Sequence, residues 1–124
     1  MKIKKSKIGL LSFFLFIFIS LSALLSGYVN LSQSKAMSEL PFIIIQPNGE
    51  VMVAWTEGHF NNNGTILYKT CTEKTGWSGT KVAAEKLYSA AFPQLDIDSS
   101  GNIHMAYMDG NASGNREIYY KRYS

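Results

Sequence analysis

The sequence predicts an all-β fold of antiparallel β-meanders preceded by an N-terminal hydrophobic helix. Three observations carry that expectation. The mature part repeats itself at a shift of 52 residues, its apolar residues alternate with a period of two between glycine-bearing turns, and an uncharged apolar run occupies the N-terminus.

The N-terminal run comes first in the chain. Lys2, Lys4, Lys5 and Lys7 precede an 18-residue stretch, Ile8 to Leu25, with no charge and many Leu, Ile and Phe. A positive segment followed by an apolar one is the pattern of a secretory signal. A run of about 18 apolar residues also reaches the lower limit for a membrane-spanning helix, so a retained signal anchor is the second reading. Ser34 and Ala36 offer a small-x-small cleavage site before Met37. In both readings the lysine bias leaves the C-terminal part outside the membrane. The expected division is a signal peptide or anchor over 1–36, a first repeat unit over 37–92 and a second, incomplete unit over 93–124. The membrane is involved only through the N-terminal segment.

Charge follows that division. The whole chain carries a formal +3, but five of its 12 Lys and Arg precede Met37 while all nine Asp and Glu follow it. The remainder is 7 minus 9, or −2, and no basic stripe is left to neutralise phosphates. Nucleic acid is therefore not an expected partner. Cys71 is the only cysteine, which excludes an intrachain disulfide; it falls in a strand-like run and reads as a packed thiol.

Residues 41–72 align with 93–124 without a gap, and nine of the 32 positions are identical, among them Pro41/Pro93, Gly49/Gly101, Ala54/Ala106, Ile66/Ile118 and Tyr68/Tyr120. Many others keep their chemical type, such as Ile43/Leu95, Val51/Ile103 and Trp55/Tyr107. Each copy reads as a meander. A proline opens a first strand (42–46 or 94–98), where a residue without an N–H is tolerated. Pro47-Asn48-Gly49 or Ser99-Ser100-Gly101 turns the chain, with glycine supplying a positive φ. The second strand (50–56 or 102–108) puts Val51, Val53 and Trp55, or Ile103, Met105 and Tyr107, on one face. Ala54 and Ala106 lie on the other, where a small residue admits a neighbouring layer. On this reading Trp55, Tyr107 and the Ile/Val faces stay partly wet in a single chain. A polar loop leads to a third strand containing 66–69 or 118–121. In the first copy a Gly- and Thr-rich turn around Trp77 leads to a fourth, outer strand at 81–84.

The pattern carried by Pro93 to Gly110 and Glu117 to Arg122, and by Pro41 to Gly58 and Ile66 to Lys69, resembles the sialidase-like, BNR or Asp-box repeat β-propellers. The resemblance spans nearly all of 41–124. It implies blades of a partial β-propeller, with the Asp-box degenerate at Thr70 to Trp77, where Thr72, Gly76 and Trp77 remain and Lys74 and Thr75 replace the pinning residues. Closed rings hold about 4 to 8 four-stranded blades, and this sequence supplies one blade and three strands of another. The open ring leaves three expectations: a fragment of a longer propeller, an oligomer that completes a ring, or a two-sheet stack.

No catalytic, cofactor-binding or metal-binding residue is assigned. Glu57 and Asp109 occupy equivalent positions before a glycine, and repetition favours a turn-capping role over a catalytic pair. Asp96, Asp98, Ser100 and Gly101 imitate the start of a calcium loop, but Tyr107 stands where the bidentate Glu belongs, which favours an ordinary hairpin. His59 and His104 lie in different elements with no second ligand at zinc spacing. Sialidases of the resembling family use three arginines, a Tyr assisted by a Glu and an Asp as acid/base; here only Arg116 and Arg122 follow Met37, and Tyr119, Tyr120 and Tyr123 read as packing and edge residues. Sequons begin at Asn30, Asn63 and Asn111. The expected function is an exported, cell-surface or secreted binding scaffold for glycans or other surface proteins, part of a longer protein. The alternative is a remnant of a sialidase-like glycoside hydrolase, with self-association a further possibility for the unpaired blades.

Overall fold

A computed structural model describes residues 27–84, 87–110 and 113–124. The chain divides into Met1–Leu31 and Ser32–Ser124, and the strands of the described residues lie in the second unit. The apolar run with its expected helix, and the sequon asparagine Asn111, lie outside the described residues.

Ser32–Ser124 is all-β and antiparallel. A five-stranded sheet contains β1 (Ser38–Ile45), β2 (Val51–Glu57), β3 (Thr65–Thr72), β4 (Gly76–Trp77) and β5 (Lys81–Ala84); a three-stranded sheet contains β6 (Ala91–Ile97), β7 (Ile103–Gly110) and β8 (Arg116–Tyr123). β4 and β5 both pair with β3, so they share the fourth position of the first sheet. The two meanders have the same register. Phe42, Ala54 and Tyr68 stand abreast in one, and Gln94, Ala106 and Tyr120, each 52 residues later, in the other.

Turn chemistry repeats too. The β1–β2 hairpin closes with Gly49 N–H donating to the Gln46 carbonyl at 2.8 Å, and the β6–β7 hairpin with Gly101 N–H donating to Asp98 at 3.0 Å. Both glycines sit at φ +84°, a conformation that costs a side-chain-bearing residue roughly 1 kcal/mol or more.

The prolines do not open the strands as the sequence suggests. β1 and β6 start three and two residues earlier than Pro41 and Pro93, and each proline sits inside a β-bulge, between Glu39 and Phe42 or between Ala91 and Gln94. A proline has no ladder donor, so it fits where the ladder is already interrupted. Leu40 and Phe92, the residues before the prolines, adopt φ +56° and +57°. The same uncommon backbone at the same repeat position extends the structural equivalence back to residues 39 and 91.

The sheets stack front to back. On the first sheet the face bearing Met52, Ala54, Thr56 and Ile66 is buried; on the second it is the face bearing Leu95 and Met105. These two faces are not equivalent under the 52-residue shift. Leu95 and Met105 correspond to Ile43 and Val53, which lie on the opposite face of the first sheet, where Ile43 is 61% exposed. Ala106, equivalent to fully buried Ala54, is exposed. The core lies between the sheets, with Ala83, Ala84 and Ala90 filling one edge. Lys121 Nζ donates to the Ala83 carbonyl at 3.0 Å, and the Tyr123 hydroxyl donates to the same oxygen.

Trp55 departs from its expected wetness. It is only 4% exposed, and its indole N–H donates to Glu57 Oε2 at 2.9 Å, which satisfies the one polar atom that burial would otherwise orphan. Tyr107 is half-buried and stacked on Tyr119, with centroids 5.8 Å apart.

The connection into the second meander is held tightly against the first. Gly64 N–H donates to Ser89 Oγ at 2.9 Å, the Gly64 carbonyl accepts from Ala90 N–H, and Ser89 Oγ donates to the Phe60 carbonyl. A Cβ on Gly64 would lie 2.7 Å from the Ala90 carbonyl oxygen, so the close approach of the two segments needs a glycine there.

Candidate functional site

Between the sheets, beside the β1–β2 and β6–β7 hairpins, lies an open cleft of about 220 Å³. Its floor is apolar, with Met52 from the first sheet and Ile103 from the second. Tyr68 and Tyr123 flank it, and Gln46, Glu50, Thr70 and Lys81 edge it with hydrogen-bonding groups. Gln46 Nε2 donates to Glu50 Oε2 at 3.0 Å, and the Lys81 ammonium lies 5.8 Å from the centroid of the Tyr68 ring. Burial, together with neighbouring Tyr68 and Tyr107, pushes the Tyr123 pKa up to about 12. The phenol is therefore a neutral donor at physiological pH. The cleft has no nucleophile beside a base; what it offers is a greasy floor, aromatic walls and polar rims, the composition of a binding site.

At the other end of the stack a smaller cavity of about 70 Å³ is lined by Phe60, Asn61, Tyr88, Ser89 and Arg116. The Arg116 guanidinium lies 5.6 Å from the centroid of the Phe60 ring and donates to Asn61 Oδ1. Arg122 stands six residues further along β8, about 20 Å away at the rise of an extended strand. The two arginines do not converge on one carboxylate.

Glu57 and Asp109 are held in separate hydrogen-bond sets. Asp109, 1% exposed, accepts backbone N–H groups from Leu87, Tyr88, Ser89 and Gly110 at 2.7, 3.1, 2.7 and 2.7 Å. Burial alone would raise its pKa, but those four donors outweigh it and hold the carboxyl below its ordinary value. Glu57 is likewise lowered: burial opposes, and hydrogen bonds from Ser34, Ser38 and Trp55 prevail. Ser38 Oγ donates to Glu57 Oε2 at 2.7 Å. Asp109 thus fastens the 87–89 connection to the end of β7.

The calcium-like segment folds as a capped hairpin. Asp98 Oδ1 accepts from Ser100 N–H and Asn102 N–H, both at 2.9 Å, and Oδ2 accepts from Asn102 Nδ2 at 2.7 Å. Asp96 Oδ1 accepts from its neighbour Ile97 N–H. Among the described residues no group of three or more His, Cys, Asp and Glu side chains is placed to hold a metal. His59 is spent locally, its Nδ1 accepting from Asn61 N–H at 3.1 Å. Asn63, a sequon residue, accepts His59 N–H on its side-chain oxygen. Cys71 is half-buried on β3, abreast of Val51 and Trp77. The turn between β3 and β4 is pinned by threonines: Thr72 Oγ1 accepts Thr75 N–H at 3.1 Å and contacts Thr75 Oγ1 at 2.6 Å, with Gly76 at φ +66°.

One arrangement is absent from the sequence reading. His104 Nε2 contacts Asp98 Oδ2 at 3.0 Å and Nδ1 contacts the Tyr120 hydroxyl at 2.8 Å, forming a carboxylate–imidazole–phenol chain on the outer face of the second sheet. The signal lies in register: Asp96 and Arg122 flank His104 across the sheet, which makes Asp98 and Tyr120 its diagonal neighbours. Their counterparts in the first sheet are Gln46, Met52 and Tyr68, so the chain occurs once.

Hydrogen bonds from the Asn102 side chain, then His104 and the Asn102 N–H, hold the Asp98 carboxyl well below the carboxylate range. A depressed folded pKa contributes stability that is complete above the unfolded value, about 3.9, and is lost as pH falls through the folded one. The thermal midpoint is therefore expected to stay level from neutrality to about pH 5 and to fall below about pH 4. Asp98→Asn should shallow that acid decline; an unchanged decline in the variant would remove Asp98 as a contributor.

Comparison of the chain with protein-family models, with curated proteins and with solved structures gives no match.

Proposed function

We propose that the chain is an exported, propeller-type repeat segment of the extracellular space or cell surface, acting as a glycan-binding scaffold. The observation that carries this reading is the cleft between the sheets. A sugar ring offers apolar C–H faces and a periphery of hydroxyls. Met52 and Ile103 with the rings of Tyr68 and Tyr123 suit the first, and Gln46, Glu50, Thr70 and Lys81 suit the second. Export rests on the lysines and apolar run before residue 26. The propeller-type architecture is supported by two meanders of equal register stacked front to back, and by the open faces they leave, which further sheets would cover. Those sheets come from a longer protein or from other copies. Nothing in the geometry favours the hydrolase reading, since Arg116 and Arg122 diverge and both conspicuous carboxylates are consumed by hydrogen bonds.

The test is titration of the full chain with N-acetyllactosamine, mannotriose and 3′-sialyllactose, followed by the same titrations of Gln46→Ala/Lys81→Ala. Saturable binding to at least one sugar is expected, weakened about tenfold in the double variant, the equivalent of roughly 1.4 kcal/mol. Absence of binding to all three, or binding indifferent to the cleft variant, would sink the glycan reading. Release of sialic acid from 3′-sialyllactose would instead establish the hydrolase.

A further inference from the structure

The stack within the chain joins the back of one sheet to the front of the next, and each kind of face occurs a second time largely open, apart from Trp55 on the front of the first sheet, which is 4% exposed. The open front belongs to the first sheet. Ile43, Ile45, Val51 and Val53 lie on it, abreast of one another through the β1–β2 register, with Ile43 and Ile45 61% and 67% exposed. Their counterparts 52 residues on are Leu95, Ile97, Ile103 and Met105; Leu95 and Met105 are buried under the first sheet, and Ile103 packs partly against the same core. The open back belongs to the second sheet, where Ala106, Ile118 and Tyr120 lie exposed. Ala54, Ile66 and Tyr68, their identical counterparts, are core or core-packed residues of the existing interface.

We propose that a second copy of this chain docks head to tail on the first, the front of one copy's first sheet covering the back of the other's second sheet, and that the series closes into a ring. The substitutions between the two backs fit this occupant. Fully buried Ala54 and Ile66 recur unchanged as Ala106 and Ile118. The junction between copies differs in its polar content: Gln46 and Thr70 of the cleft become Asp98 and Arg122, and Phe42, Ile44 and Met52, which are core or core-packed in the existing interface, become Gln94, Asp96 and His104. A junction between copies therefore has an apolar seat at one end and, at the hairpin end, a second and more polar cleft containing the Asp98–His104–Tyr120 chain. One copy is both donor and acceptor of the same interface, so no residue outside this sequence is needed to complete it. A front-to-back contact is heterologous and propagates until its rotation closes. Rings of about 4 to 8 sheets correspond, at two sheets per chain, to roughly two to four copies.

This inference rests on the stacking of the sheets and not on what the cleft binds, so an assembly without sugar affinity, or the reverse, separates the two. The experiment is sedimentation and chemical cross-linking of the full chain in mild detergent, beside Ile43→Glu and Ile118→Glu, with far-UV circular dichroism as the folding control. Ile118 is 78% exposed, and both substitutions place a charge on an open face without entering the core. The wild type is expected as a discrete species of roughly two to four copies. Each variant alone is expected as single copies with an unchanged β spectrum, and a mixture of the two should form a one-to-one pair through the single intact front and back. A wild type that stays a single copy at its highest soluble concentration overturns the proposal, as does a mass that climbs without limit. A multimer that Ile118→Glu leaves intact also overturns it, because pairing would then use two fronts or the N-terminal segment.

Discussion

Replacing Asp109 by alanine is expected to cost about 3–5 kcal/mol and to lower the thermal midpoint by more than about 15 °C. The carboxylate is the acceptor for four backbone N–H groups at the end of β7 and in the connection that carries the chain from one sheet to the other. Each donor left unsatisfied costs on the order of 1–3 kcal/mol, and water entering the gap returns part of that. Against a total stability of roughly 5–15 kcal/mol, the loss is between about a fifth and the whole of it. Asp109→Asn separates geometry from charge. Its remaining oxygen still serves Tyr88, Ser89 and Gly110, while its amide opposes the Leu87 N–H, so a smaller loss of about 1–3 kcal/mol is expected. Thermal unfolding followed at a β-sheet wavelength checks both values; an alanine variant as stable as the wild type would show that the connection holds without its carboxylate.

The second large effect sets two equivalent alanines against each other. Ala54→Lys forces an ammonium between the sheets, where Ala54 is fully buried, and is expected to unfold the chain at a cost of more than about 4 kcal/mol. Ala106→Lys makes the same change 52 residues later on an exposed face, and the meander itself should change by no more than about 0.5 kcal/mol. Circular dichroism distinguishes them directly: one β spectrum lost, one kept. Loss of the β spectrum at both positions in chains that sediment as single copies would mean that the two faces are equally buried within one chain and that the stack is not front to back.

The all-β, antiparallel character was legible because alternation and turn glycines act locally. The fourth strand of the first sheet occupies the residues its pattern indicates, Lys81–Ala84. Gly49 and Gly101 take the positive φ that their turns require. The strand starts were not legible. Pro41 and Pro93 suggest a beginning, yet the ladder runs past them through a bulge, and a bulge is a property of the pair of strands and not of either sequence.

Which face of each sheet is buried was harder still. In the first sheet both faces are apolar, Val51 and Val53 on one, Met52 and Ala54 on the other, so alternation points both ways. The deciding signal was a comparison between copies: Phe42, Ile44 and Met52 become Gln94, Asp96 and His104, which marks the back of the second sheet as the wetter surface. The cleft and the Asp98–His104–Tyr120 chain depend on cross-strand neighbours and on how two sheets meet, information that no single strand carries. Trp55 escaped the reading for a related reason: its acceptor, Glu57, lies two residues along the same strand, on the same face, and satisfies the indole N–H.

The account depends on the back of the first sheet meeting the front of the second. Methyl–methyl nuclear Overhauser effects in a selectively labelled full chain measure that contact. Cross-peaks are expected from Leu95 and Met105 to Met52, Ala54 and Ile66, and none within a chain to Ile43 or Val53. Cross-peaks from Met105 to Ile43 and Val53 within one chain, with Ala54 silent, would contradict it.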